Sequence, residues 1–338
     1  MSFGLVALGH VLGEPVEAVS AAPRYTDDLK KIEGWGYRTF HRAGAGTGLT
    51  DLAVAAGRQA LAQAQMPAEE VDLLVLAISD IAEYLYWDAA AATQARLGAR
   101  RAEALLLNQA CGAGVASFDT VAGKFATHPE YRTALIVAAN RVCDAYWNRM
   151  ESNTSVSSDG AAAAVAVREH AGCRWLATEI ISDGRYADFF RLESGGAARP
   201  FAPGHDVPIQ VENPFDRLVD FFGGEVREML RFVETIGARN REVLERACKR
   251  AGVPPRSVKR VISLNDNIKA LTDLASELEI SLGQTNAELA MDTGHLGCAD
   301  QIFCLERHIG SGELVPGDVA ALMSTGSGMH WVCTLLRV

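Results

Sequence analysis

Leu105-Leu-Leu-Asn-Gln-Ala-Cys-Gly-Ala-Gly-Val-Ala-Ser-Phe-Asp-Thr-Val121 is the stretch on which the reading of this chain turns. Three leucines read as the end of a buried strand. Asn108-Gln109-Ala110 breaks it and delivers Cys111, and Gly112, Ala113 and Gly114 open a run with helical spacing. Small residues beside a cysteine let backbone and ligand approach closely. A cysteine at a helix N-terminus lies at the positive end of the macrodipole, which favours a thiolate. That pattern builds a nucleophile. It also fits a small buried hydrophobe at a tight strand–helix junction, a common place for a free cysteine.

The residues around this unit alternate between strands and helices. Strands are expected over residues 3–9, 71–78, 134–139 and 158–167. A helix capped by Thr50 and Asp51 should run to about Gln65. Residues 14–48 read as an irregular, glycine- and aromatic-rich region. The order implies an α/β fold with a mainly parallel sheet.

The second half repeats the first at one offset. Pro67 and Pro254 stand 187 residues apart, as do Cys111 and Cys298, and the pairs Ala134-Leu135 and Ala321-Leu322. Three ungapped coincidences imply an internal duplication related by a pseudo-dyad. The halves are expected at 1–167 and 168–338, the second with an insertion over 184–222 that covers a pocket.

Composition narrows the partners. The 338 residues carry a net charge of −10, which argues against nucleic acid or an anionic membrane. The N-terminal residues read as a first strand, not a signal peptide, and no apolar run reaches the roughly 18 residues of a membrane span. The seven cysteines (111, 143, 173, 248, 298, 304 and 333) are scattered, with no Cys-x-x-Cys pair. That usage predicts a reducing cytoplasm and neither a disulfide framework nor a metal site.

With Asn108-Gln-Ala-Cys-Gly-Ala-Gly114, Asp159-Gly-Ala-Ala-Ala, Leu264-Asn-Asp-Asn-Ile-Lys269, Gly294-His-Leu-Gly-Cys298 and Ser324-Thr-Gly-Ser-Gly328, nearly the whole chain resembles the thiolase superfamily. Within it the chain looks like the ketoacyl-acyl-carrier-protein synthase III branch. The resemblance implies duplicated α/β halves layered α-β-α-β-α, a homodimer and no tightly bound cofactor. The donor it implies is a thioester on coenzyme A or an acyl carrier protein.

The departures matter most. The resemblance puts Leu264 where that branch carries a histidine and His295 where it carries an asparagine. Those two groups hold a thioester carbonyl during decarboxylation, and leucine can donate nothing to a developing enolate. A histidine can instead take the proton of an acceptor hydroxyl, oriented by a carboxylate. The expected triad is therefore Cys111, His295 and Asp266, with Asp300 as the rival orienter. The resemblance supplies the oxyanion hole from the backbone N–H groups of Cys111 and Ser327. It makes Tyr86 or Trp87 a wall that closes the partner's pocket across a dimer. It also places Lys249, Arg250, Arg256, Lys259 and Arg260 near a tunnel mouth as a phosphate or carrier dock.

The pattern is similar to synthase-III-like acyltransferases that form esters in polyketide tailoring, of the cervimycin malonyltransferase type. It implies an acyl group, malonyl among the candidates, passed to a hydroxyl of a polyketide or glycoside in antibiotic biosynthesis. A decarboxylative carbon–carbon condensing enzyme and a non-catalytic partner subunit are the alternatives.

Overall fold

The computed structural model describes residues 2–152, 154–192, 195–201 and 214–338. Eleven strands are present among them: β1 (Phe3–Leu12), β2 (Glu14–Glu17), β3 (Thr39–Arg42), β4 (Leu73–Ile78), β5 (Glu103–Leu107), β6 (Thr133–Asn140), β7 (Gly160–Arg168), β8 (Arg174–Ser182), β9 (Val258–Ile262), β10 (Val319–Gly326) and β11 (His330–Arg337). The first five helices are α1 (Ala18–Ala21), α2 (Leu29–Trp35), α3 (Leu49–Gln63), α4 (Ala89–Leu97) and α5 (Ala113–Thr127). The rest are α6 (Pro214–Phe221), α7 (Val226–Ala251), α8 (Ile268–Glu277), α9 (Ala287–Thr293) and α10 (Asp300–Gly310).

Nine strands form one sheet in the order β5-β4-β6-β7-β1-β8-β11-β10-β9. The chain's duplication is visible in this order, because β4-β6-β7-β1 on one side matches β9-β10-β11-β8 on the other. The two runs meet at a single pair, Gly4 with Arg174. Parallel pairing is confined to β4 with its neighbours β5 and β6, and to β9 with β10, so the sheet is mixed.

Both faces of the sheet are covered, which is why β4 and β6 read as unbroken apolar runs. Ala134, Ile136 and Ala138 of β6 point into one core, and Leu135, Val137 and Ala139 into another. The first core is filled by α5 and α10, a central helical layer between the halves. α5 presents Val115, Phe118, Ala122 and Phe125 to it, spaced for one helix face. α3 and α4 cover the outer face of the first half, and α7 that of the second.

The region from 14 to 48, expected to be irregular, holds short elements instead: α1, α2 and the antiparallel pair β2–β3. Strands of four residues leave too little alternation to be legible in sequence. Of the expected 184–222 insertion, His205, Pro203 and Pro208 lie outside the described residues.

The two central helices touch at their starts. Gly114 lies so close to Cys298, two residues before α10, that a β-carbon on it would overlap the Cys298 carbonyl oxygen. A backbone oxygen cannot rotate away, so Gly114→Ala is expected to destabilise the protein by about 3 kcal/mol. In a thermal melt this should read as a fall in Tm of roughly 4 °C or more.

Candidate active site

The parallel strands β4, β5 and β9 all point their C-terminal ends at one region, the usual location of a site in such sheets. β5 ends at Leu107, and four residues later Cys111 precedes α5. The elbow is tight: Ala110 takes φ +47°, a left-handed conformation that is costly for a residue with a β-carbon. Such strain is kept where surrounding structure over-determines it. Here Ser324 donates a 2.7 Å hydrogen bond to the Cys111 carbonyl, and Gly326 packs against Gln109 and Gly112 without room for a side chain.

His295 comes from the other half, on the extended segment between α9 and α10. Its ring nitrogen Nε2 lies 3.2 Å from Cys111 Sγ. Its Nδ1 donates to Asp300 Oδ2 at 2.6 Å. Asp300, fully buried in the first turn of α10, also accepts from the N–H of Asn265 at 2.8 Å and of Leu296 at 2.7 Å. Two backbone N–H groups on one carboxylate fix its orientation at the start of the helix. Burial alone would lower His295, but the Asp300 carboxylate and the Cys111 thiol beside it prevail and hold it well above the ordinary histidine value.

The carboxylate on Nδ1 is thus Asp300, not Asp266 as expected from the sequence. The extended chain at 264–266 turns the Asn265 N–H toward Asp300. Asp266 accepts instead from Thr154 Oγ1 at 2.9 Å. Burial raises its carboxyl above the usual range, opposed by nearby His295. Asp266 is therefore a neighbour of the imidazole without being its hydrogen-bond partner at Nδ1.

The loop with Tyr86 and Trp87 is anchored by Glu83, which accepts from the Thr50 N–H at 2.8 Å and its hydroxyl at 2.5 Å. Tyr86 is fully exposed, as are most of Tyr84 and Leu85. Trp87 packs on the core under α3 and meets Tyr84 edge to face. An open pocket of about 440 Å³ lies between this loop and residues 45–51, apart from Cys111.

The basic cluster is not at the site. Lys249 and Arg250 close α7, and Arg256, Lys259 and Arg260 flank or enter the start of β9. Lys249, Arg250, Arg256 and Lys259 therefore lie toward the N-terminal end of β9, Arg260 lies in its middle, and residues 264–266 follow its C-terminal end. Arg260 is largely buried, donating to the Gly283 and Thr285 carbonyls and pairing with Glu313. Arg250 is tied to Thr178 and Glu179. Only Lys249, Arg256 and Lys259 are exposed without a described partner. Arg250 and Arg260 are thus committed to partners within the chain.

Three further residues fall into place. Cys298, at the pseudo-symmetric position, is buried, donates to the Ala77 and Ala139 carbonyls, and is pushed up to about 12 by burial. His41 bonds the Thr293 carbonyl through Nδ1, and His330 bonds Ser182.

Comparison with known proteins completes the assignment. Residues 248–338 match the family described as 3-oxoacyl-[acyl-carrier-protein] synthase III C terminal. The beta-ketoacyl-[acyl-carrier-protein] synthase III of Gloeobacter violaceus is 30% identical over 305 residues, 89% of this chain and 87% of that protein. The chain belongs to the ketoacyl-acyl-carrier-protein synthase III family. A second member, from Desulfotalea psychrophila, is 27% identical over 298 residues, covering 87% of this chain and 86% of its own length. Among solved structures, the acyltransferase ChlB3 superposes with a TM-score of 0.87 at 22% identity, covering 100% of this chain and 98% of its own. At that identity the likeness shows the fold, which is the thiolase fold of this family. No helix among the described residues is long and apolar enough to cross a membrane.

Proposed function

We propose that this family member is an acyltransferase that forms esters. The observation that carries the reading is the unbroken run Cys111–His295–Asp300, and the resemblance puts Leu264, which can donate nothing, where its branch carries a histidine. In the first half-reaction, Cys111 gives its proton to His295 Nε2 and its sulfur attacks the carbonyl of an acyl thioester carried by coenzyme A or an acyl carrier protein. The carbon–sulfur bond to the donor breaks, and the departing thiolate takes the proton held by His295. In the second, His295 Nε2 takes the proton of an acceptor hydroxyl as its oxygen bonds the acyl carbon. The Cys111 carbon–sulfur bond then breaks, an ester leaves, and the Cys111 sulfur regains the proton from His295. Backbone N–H groups of Cys111 and Ser327 would hold the oxyanion in both. The contact of the Gly326 turn with the elbow supports that placement.

The electrostatics favour an oxygen acceptor over a carbanion. His295 has a carboxylate at Nδ1 and a second carboxyl, Asp266, nearby. Negative charge there stabilises an imidazolium but opposes an enolate. The reading takes a hydroxyl of a polyketide or glycoside as acceptor and malonyl as a candidate acyl group. The names of the relatives favour a second reading, decarboxylative condensation.

Two supporting features extend the proposal. β5 is an edge strand with Leu106 40% exposed, at the same end of the sheet as exposed Tyr84, Leu85 and Tyr86. An apolar edge of this kind suits a second copy of the chain, with the exposed Tyr86 rather than the core-packed Trp87 reaching the partner's site. All seven cysteines are unpaired, as a reducing cytoplasm requires.

The test is direct. The protein is incubated with malonyl and acetyl thioesters, weighed intact, then given hydroxylated acceptors. An acyl mass on Cys111 that disappears as ester forms supports the proposal. Carbon dioxide release matched to a carbon–carbon product supports condensation instead, and no adduct at all removes both.

A further inference from the structure

His295 sits on an irregular segment, so something must hold it against the thiol. Gly294 before it adopts φ +69° and has no space for a side chain. The holding is done by the chain at 156–158. The His295 N–H donates to the Val156 carbonyl at 2.8 Å, and the Ser158 N–H donates to the His295 carbonyl at 2.8 Å. Ser158 Oγ also donates to the Thr293 carbonyl at 2.5 Å. His295 is thus gripped on both sides of its own backbone by a segment from the other half of the molecule.

That segment is fixed by one buried cation. Arg149 is fully buried, as is Asp159, and the two form a fork: Nη1 to Oδ1 and Nη2 to Oδ2, each 3.0 Å. Nε donates to Asp144 at 2.6 Å. Further bonds reach the Val142 and Ser157 carbonyls, at 3.5 and 3.4 Å. The Arg149 carbonyl in turn accepts from the Ser157 N–H at 2.9 Å. Asp159 is equally committed, taking the N–H groups of Val142 and Ala43 at 2.8 Å each. One guanidinium therefore ties Val142 and Asp144, where the loop leaves β6, to Ser157 and Asp159, where it enters β7. A planar fork with every donor engaged sets orientation as well as charge, which a lysine ammonium cannot do.

We propose that Arg149 is a positioning residue for His295. It fixes Val156–Ser158, and those residues fix the imidazole against Cys111. The inference rests on the reading of His295 as the base. A ring displaced by about 1 Å from its partner is expected to lose on the order of ten- to a hundred-fold in rate.

The experiment compares wild type with H295A, R149M, R149K and D144N, all checked by thermal melt. Two quantities are measured: the rate at which iodoacetamide alkylates Cys111, by intact mass, and the titration of the His295 ring by NMR in histidine-labelled protein. Asp300, Asp266 and Cys111 are the titratable groups facing that ring. H295A should slow alkylation at least about ten-fold. R149M should come within about three-fold of H295A, with the His295 inflection falling toward the ordinary histidine range. R149K should recover part of both. R149M that melts like wild type and keeps wild-type alkylation and titration overturns the proposal. If R149M does not fold, R149K and D144N decide: a shared slowing of about three-fold or more, with a lowered inflection, supports it, and wild-type values in both overturn it. If H295A alkylates as fast as wild type, the base role falls instead, while the R149M titration still reports on positioning.

Discussion

Cys111→Ala is expected to retain the fold and to lose acyl transfer by about 10⁴-fold or more, because it removes the atom on which the acyl group is carried. The substitution is small, at a partly buried site, and leaves the His295–Asp300 hydrogen bond in place. Intact-mass measurement after incubation with an acyl thioester should show no adduct. The other thiols offer a sharp control. Burial raises Cys173 and Cys298 to about 12 and Cys248 to about 11, and holds Cys304 and Cys333 well above the ordinary thiol. Cys143 is the one other thiol among the described residues that is not fully buried. An adduct that persists in the alanine variant and maps to Cys143 would displace Cys111 from the mechanism. Unlabelled protein with transfer intact would remove the acyl-enzyme altogether.

Cys111→Ser separates the two demands on this position. A serine keeps a hydroxyl near Nε2 of His295 but needs a far stronger base to ionise. Slow loading in the serine variant, against none in alanine, would show that the histidine draws a proton from residue 111. That comparison speaks to the first half-reaction only, since the acceptor's proton is drawn by the same imidazole after loading.

The elements that sequence patterning could reach are those with a period. β4 and β6 are unbroken apolar runs because both their faces are covered, and α5 shows its core face every three to four residues. The duplication was legible because α5 and α10 begin 187 residues apart, as do the cysteines near their starts. What could not be read was direction in aperiodic chain. Residues 263–267 have neither helical nor strand repeat, so nothing in their order says whether Asn265 or Asp266 faces His295. The available signal lay elsewhere: Asp300 stands in the first turn of a helix, five residues after His295, where a carboxylate is favoured. The basic cluster shows the same limit. Five cations close in sequence straddle the end of α7 and the first half of β9, and only the strand's bounds show that they precede the end leading to residues 264–266. Arg149 was hidden for another reason, because its partners Asp144 and Asp159 lie at two ends of a loop whose closure is a tertiary fact.

Asp300→Asn and Asp266→Asn form the decisive pair for the proton path. Asp300 does three things at once: Oδ2 accepts from His295 Nδ1 and from the Asn265 N–H, and Oδ1 accepts from the Leu296 N–H. An amide can accept on one side only. Its NH2 must then face a backbone N–H or the ring nitrogen, which rotates the imidazole or reverses its tautomer. In a hydrolase triad the corresponding change costs about 10⁴-fold in kcat, and a loss of 10³- to 10⁴-fold is expected here. Asp266→Asn keeps the Thr154 hydrogen bond and removes only a nearby charge, so its loss should stay within about ten-fold. The pH profiles should differ as well. His295 is held above the ordinary value by Asp300 and by Cys111. It acts as a base only when neutral, so transfer to the acceptor should rise with pH through its inflection. Removing the Asp300 charge lowers that inflection, moving the rising limb to lower pH even as the plateau collapses. Acylation of Cys111 removes the thiol's share of the effect, so the limb for transfer should also lie below the His295 inflection in unloaded enzyme. Single-turnover rates of ester formation from preloaded protein, measured across pH, test all of this. If Asp266→Asn costs as much as Asp300→Asn, the carboxylate at 2.6 Å is not the one that matters, and the proton path must run through residue 266.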